Sequence, residues 1–272
     1  MSSLIHRLLT RSCDFENRDS PESLSSKRVT VMVNQVTRYS GSAAICFDGI
    51  ESNGDGFDNN FDSKNPSLFA RIAEDIQNKG YSINPGALPL HLGDSLLQRI
   101  NTIDDEQFVH ARIGREKLLM KNQFVRKNAI CWITGESDAG RDWLQWTSEM
   151  QTFLNRRLLL GLFSFESHFS HYAVGDFYKR HVDAHKGDAN RVLSIVVYLN
   201  PDWVSESEGE LVLYKDDSDN EGIKVTPGFG TVVVFLSEEF PHEVLVTNRD
   251  RYAIAGWFRV NSSNISHVDP PL

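Results

Sequence analysis

The chain has 272 residues, 40% hydrophobic and 24% charged, enough for one substantial core but far from collagen-like or wholly disordered composition. The formal charge of -9 argues against a nucleic-acid backbone as the main partner, and no apolar run is long enough to cross a membrane. The cysteines, Cys13, Cys46 and Cys131, are scattered without a CxxC. Neither a disulfide framework nor a thiolate zinc site is expected, and a reducing cytoplasmic setting is the simpler inference.

Residues 1–65 read as a polar, acidic extension with poor apolar periodicity. From Asp48 to Asp62 there are five acids and no base. Glu51 to Asp62 echoes a calcium loop, but the leading aspartate and the flanking amphipathic helices are missing. It reads as a solvated acidic linker. Residues 66–272 read as one domain, with helical support over 66–160 and β structure over 161–262. Leu68, Ile72 and Ile76 recur every four residues and predict a helix from Pro66 to Gly80. A second helix is expected over 92–103 and a short strand over 127–133. Gly135 to Gly140 reads as a turn-rich loop, followed by a third helix over 143–160. Alternation then gives eight strands: 163–173, 178–183, 191–199, 209–215, 222–226, 231–236, 242–247 and 252–260. Helices followed by eight short strands imply an α+β chain whose β part is a double-stranded β-helix, a jelly roll.

His181-Val182-Asp183 places an imidazole and a carboxylate two residues apart, on one face of a strand. His242, opening a later strand, supplies a third donor. Two histidines and one carboxylate on one face are the ligand set of non-haem Fe(II) oxygenases. His181 and His185 could alternatively form a helical zinc pair, but Gly187-Asp188 marks a turn and no HExxH is present. His168 and His171, three apart on a strand, face opposite sides and read as structural or as supports standing behind the ligands. Arg251 follows His242 by nine residues, and its face continues as Ala253, Ala255 and Trp257. A fixed cation, two small side chains and an aromatic wall suit a carboxylate ligand. Tyr198 adds a phenol for the same carboxylate.

These residues carry a resemblance. Residues from about 66 to 272 resemble the prolyl 4-hydroxylase branch of the Fe(II)/2-oxoglutarate dioxygenases, the group that includes the hypoxia-inducible-factor prolyl hydroxylases and their bacterial relatives. The segments are Tyr172 to Asp183 (YAVGDFYKRHVD), Arg191 to Trp203 (RVLSIVVYLNPDW), Gly209-Glu210-Leu211, Pro241-His242-Glu243-Val244 and Arg251-Tyr252-Ala253-Ile254. Upstream, Ile113-Gly114-Arg115 and Asn122 to Trp132 (NQFVRKNAICW) also fit. The resemblance implies that His181, Asp183 and His242 bind Fe(II), and that Arg251 and Tyr198 hold the distal carboxylate of 2-oxoglutarate. It implies Tyr178 and Trp257 bordering a substrate prolyl ring, Arg191 and Arg126 near the peptide, and Gly135 to Gly140 as a mobile loop over the substrate. It further implies O2 as oxidant, ascorbate as reductant, and a protein substrate hydroxylated at prolyl C4, with elongation factor Tu the family-level expectation. Two departures stand out. Ala255 replaces a threonine of the animal enzymes, removing a hydrogen bond to cosubstrate or water. Asn128 replaces an aspartate that pairs with the arginine at Arg126, which loosens the expected hinge. An oxygenase acting on a free amino acid or a non-prolyl side chain, and a non-catalytic binding module on the same barrel, are the competing readings. A nucleic-acid repair oxygenase is disfavoured by the acidic charge.

Overall fold

A computed structural model describes residues 65–110, 126–184 and 190–261. The N-terminal extension, the calcium-like stretch, Ile113 to Arg115, residues 122–125 and His185 lie outside the described residues. Three helices and eleven strands are described. Helix α1 (Asn65–Lys79) is followed by β1 (Tyr81–Asn84), α2 (Leu90–Asn101), β2 (Val109–His110), β3 (Ala129–Trp132) and α3 (Asp138–Leu158). Then come β4 (Ser164–Tyr172), β5 (Tyr178–His181), β6 (Arg191–Tyr198), β7 (Leu211–Leu213), β8 (Ile223–Val225), β9 (Val232–Leu236), β10 (His242–Val244) and β11 (Arg251–Arg259). No described helix is long and apolar enough to cross a membrane.

The strands form two antiparallel sheets, β1-β9-β6-β11-β4-β3-β2 and β5-β10-β7-β8. All eight strands expected after residue 161 are present, and together they make the jelly roll. Two strands went unforeseen. β1 is four residues long, too short to show alternation by itself, and forms by pairing with β9, Ile83 opposite Val233. β2 has two residues, too few to alternate.

The helices support the larger sheet from outside. The periodic face of α1, Leu68, Phe69, Ile72, Ala73 and Ile76, is buried. Phe69 packs on Trp146 and Phe153 of α3. Trp143 of α3 is fully buried, lies against Phe165, and donates its indole N–H to Ser167 Oγ of β4 at 3.0 Å. That single residue ties the longest helix to the strand that runs past the site.

α3 begins five residues before its first aromatic. Ser137 is the N-cap, its hydroxyl accepting from the Gly140 N–H at 3.1 Å, and Asp138 sits in the first turn, where the helix dipole favours an acid. Residues 135–140 are therefore not a free loop. Their second half is the opening turn of α3, which shortens the expected loop to residues 135–137. The polar turn lacks an apolar stripe, so periodicity alone starts the helix late.

Trp143→Ala is expected to cost about 3–5 kcal/mol, since it opens a large cavity and strands the Ser167 hydroxyl. Urea denaturation measures this. A loss below about 1 kcal/mol would mean that α3 does not brace β4.

Candidate functional site

His242 of β10 is the direct cross-strand partner of His181 of β5. Opposed residues of an antiparallel pair project from the same face. The two rings accordingly lie with centroids 4.3 Å apart. Asp183 follows β5 and closes the group. One ligand atom from each of His181, Asp183 and His242 lies within 4.8 Å of the others. Asp183 carboxylate oxygens stand 3.7 Å from His181 Nε2 and 3.6 Å from His242 Nε2, beyond hydrogen-bond length, so the three atoms face a shared space.

The surroundings fix those atoms. His181 Nδ1 lies 2.8 Å from the Lys179 carbonyl, and His242 Nδ1 lies 3.1 Å from that of Phe240. A carbonyl can only accept, so each Nδ1 carries the proton and each Nε2 presents a lone pair. Asp183 accepts a 2.6 Å hydrogen bond from Ser194 Oγ, which lies 2.9 Å from Ser237 Oγ. Burial alone would raise the Asp183 carboxyl; the adjacent His242 and His181 outweigh it and hold the group below the usual carboxylate range. Burial pushes His242 down, favouring the neutral, ligating imidazole. This donor set fits a divalent metal of the non-haem iron type.

The triad opens on a cavity of about 420 Å³ between the two sheets. Its opposite wall is built in rows by register. Trp132, His168, Ala255 and Val196 form one row across β3, β4, β11 and β6, and Ile130, Ser170 and Ala253 form the next. Arg251 and Tyr172 are paired beyond them. The small side chains at Ala253 and Ala255 leave the cavity open between Trp257 and Arg251.

Arg251 is 1% exposed, and among the described residues no carboxylate pairs with it. Its Nε has no hydrogen-bond partner. The guanidinium lies between the rings of Tyr172 and Tyr198, 4.9 and 5.0 Å from their centroids. A buried cation with no counter-charge is costly unless an anion completes the site. The backbone leaves room for it at Gly209, φ +71°, where a Cβ would lie 2.9 Å from Thr247 and 3.3 Å from Arg251 Cδ. Tyr198, paired with Ala253 across β6 and β11, is fully buried beside the guanidinium, and among the described residues its hydroxyl has no partner. Tyr172 is the phenol that lines the wall. Burial pushes both phenols up to about 12, so both stay protonated beside the cation.

The other expected residues converge on the same cavity. Trp257 lines it under the Arg191 guanidinium, 3.8 Å from the ring centroid. Glu166 Oε1 accepts from Arg191 Nε at 3.0 Å and from Nη2 at 2.6 Å. Tyr178 stacks on His181 at 3.7 Å, with Arg126 4.6 Å above the phenol ring. Arg126 Nε donates to Asn128 Oδ1 at 2.9 Å, so the contact expected to loosen persists as a hydrogen bond to a neutral amide. Asn128 Nδ2, buried in the wall, is left without a partner.

Sequence reading missed His168 and Tyr172 as wall residues and Ser194 as the partner of Asp183. Alternation in β4 does put His168, Ser170 and Tyr172 on one face. Choosing the inner face requires the β11 register, which no local pattern supplies.

Comparison with known proteins agrees with this geometry. Residues 167–259 match the model of the 2OG-Fe(II) oxygenase superfamily. The chain is 34% identical to a prolyl-4-hydroxylase from Pseudomonas putida, with a TM-score of 0.63 over 71% of this chain and 100% of that one. It is 26% identical to a prolyl hydroxylase from Trichoplax adhaerens solved with a hypoxia inducible factor peptide fragment, again with a TM-score of 0.63, over 72% and 90%. A Phytophthora capsici prolyl 4-hydroxylase at 18% identity and TM-score 0.53, over 76% and 68%, shares the fold. With the triad and the buried guanidinium on one cavity, the chain belongs to the Fe(II)/2-oxoglutarate-dependent prolyl hydroxylase family and is an oxidoreductase.

Proposed function

We propose that this protein hydroxylates a peptidyl proline at C4 in a protein substrate. Residues 66–272 form the catalytic domain in this reading, and residues 1–65 an extension outside it. One observation carries the proposal. The metal-type triad and an unpaired, buried Arg251 face a single cavity, whose remaining walls are the flat rings of Trp257, Tyr178 and Trp132 with Arg191 and Arg126 beside them. Flat apolar walls suit a pyrrolidine ring, and the two rim cations suit peptide carbonyls.

His181, Asp183 and His242 would hold Fe(II) at the wall of the cavity. Bound iron, 2-oxoglutarate and O2 supply the oxidising chemistry, giving succinate and CO2 as co-products, with ascorbate as the external reductant. The chain does the positioning. Carbonyl-anchored Nδ1–H groups keep both Nε2 lone pairs aimed at one point. Ser194 keeps Asp183 turned inward. Arg251 fixes the far carboxylate of the keto acid, flanked by the Tyr198 and Tyr172 hydroxyls. Trp257 and Tyr178 would hold the proline beside the triad and exclude water. No side chain is needed as a general base.

Elongation factor Tu, in the cytoplasm, is the protein substrate to which the family resemblance points. The complex of the Trichoplax relative with a hypoxia inducible factor peptide fragment supports a peptide rather than a free amino acid. Incubating the enzyme with Fe(II), ascorbate, 2-oxoglutarate and elongation factor Tu, or proline-centred peptides, should add one oxygen atom to a proline, located by fragment mass spectrometry. Oxygen mapped to another side chain, or to a free amino acid, would transfer the assignment to the alternative oxygenase reading.

Arg251→Ala should raise the KM for 2-oxoglutarate about 10- to 100-fold while metal affinity stays near wild type. Equal loss of both would remove Arg251 from its assigned role. Ser194→Ala should do the reverse: metal affinity about 10- to 100-fold weaker by titration, with little change in 2-oxoglutarate KM at saturating metal.

A further inference from the structure

His168 is a wall residue without an assigned task. It is 4% exposed and lines the cavity on β4, directly opposite Ala255. Alanine is too short to cover the imidazole edge that faces the cavity. Two indoles flank the ring: Trp132 at 5.3 Å, edge-on, and Trp257 at 5.5 Å. It lies outside the metal-type triad.

Its tautomer follows from its neighbours. Nδ1 lies 3.2 Å from the Phe169 carbonyl and 3.1 Å from Ser170 Oγ. Only a protonated Nδ1 satisfies the carbonyl, so Nε2 carries a lone pair. Burial, reinforced by Arg126 and Arg191, pushes the group down to about 4, and the ring is neutral. Among the described residues Nε2 has no hydrogen-bond partner.

Most other polar groups on the wall donate. Arg126 and Arg191 are donors only. Trp257 Nε1 and Asn128 Nδ2 are buried donors without partners. A peptide presents carbonyls and N–H groups in turn. The arginines match carbonyls, and an uncommitted nitrogen acceptor between two indoles matches an N–H. Proline itself has no N–H, so this contact would read a residue beside it.

We propose that His168 is a substrate-recognition residue whose Nε2 accepts a hydrogen bond from a backbone N–H next to the target proline. The inference rests on the prolyl-peptide reading and adds a determinant of which peptides are held.

The test uses the full chain with Fe(II), 2-oxoglutarate and a library of acetylated nonapeptides centred on proline. The best-hydroxylated member is then remade as an ester series, each replacing one backbone N–H by oxygen. Two variants are compared: His168→Met, which keeps volume and removes the acceptor, and His168→Gln, which restores one. For wild type, one ester should raise the peptide KM about tenfold. His168→Met should raise the KM for the parent peptide about as much, with kcat unchanged, and should be indifferent to that ester. His168→Gln should recover most of the parent KM. If the ester and His168→Met penalties multiply, or if no ester affects wild type, the inference is overturned while the prolyl reading stands. The wild-type ester series decides even if His168→Met does not fold. If wild type hydroxylates no library member, the prolyl reading fails and the inference fails with it.

Discussion

The site depends on one strand register. His242 opposes His181 across β10 and β5, and that pairing alone brings two imidazoles from positions far apart in sequence to one face. Side chains alternate along a strand, so a slip of one residue would turn one ring away from the other. The register is held from the other side by β7, where His242 opposes Leu213 and Val244 opposes Leu211. The backbone carbonyls of Lys179 and Phe240, each two residues before its histidine, then set the tautomer. The histidine pair is a property of the sheet, and Asp183 completes it from the segment that follows β5.

Arg251 belongs to the other sheet, and its position has a different origin. It opens β11, the strand with two long partners, β4 and β6. That central place lets the guanidinium be buried between Tyr172 and Tyr198 without an acid nearby. Two features elsewhere in the chain make this possible. Gly209 lets a neighbouring backbone pass close to the arginine stem, and Ala253 and Ala255 keep the path to it open. A protein that buries an unpaired cation bears a desolvation cost in its free state. Binding an anion there relieves the cost, so affinity for a carboxylate is built into the resting fold.

The legible parts of the sequence were those encoded locally. Two-residue alternation marked every strand from β4 to β11, and four-residue spacing of Leu68, Ile72 and Ile76 marked α1. His181, Asp183, His242 and Arg251 were visible through their residue types and spacing, although β5 stops at His181 and Asp183 completes the set from the segment after it. What escaped depends on partners far along the chain. β1 is a strand because β9 is beside it. His168 faces the cavity because β11 sets it against Ala255. Tyr198 was expected beside Arg251 and lies there; Tyr172, from β4, joins it on the other side of the guanidinium and went unnoticed. The β11 register, pairing Arg251 with Tyr172 and Ala253 with Tyr198, brings both phenols to the arginine. The start of α3 was missed for a local reason, because a capped polar turn has no apolar stripe.

The charge distribution adds a constraint on how ligands reach the site. The whole chain carries -9, yet the charged residues of the cavity wall are Arg126, Arg191 and Arg251 against the single acid Asp183. Arg191 is further held by Glu166, which leaves Arg126 and Arg251 as the cations without a carboxylate partner among the described residues. At physiological salt the field of the distant surface acids is damped within about 8 Å, while a charge in a partly buried cavity is screened much less. An incoming keto diacid therefore meets local attraction that the global charge does not cancel. A peptide gains from the same arginines through its carbonyls rather than through net charge. Recognition of the two ligands is thus separable: Arg251 at the closed end senses charge, and the rim of Trp257, Tyr178, Arg191 and Arg126 senses shape and backbone polarity.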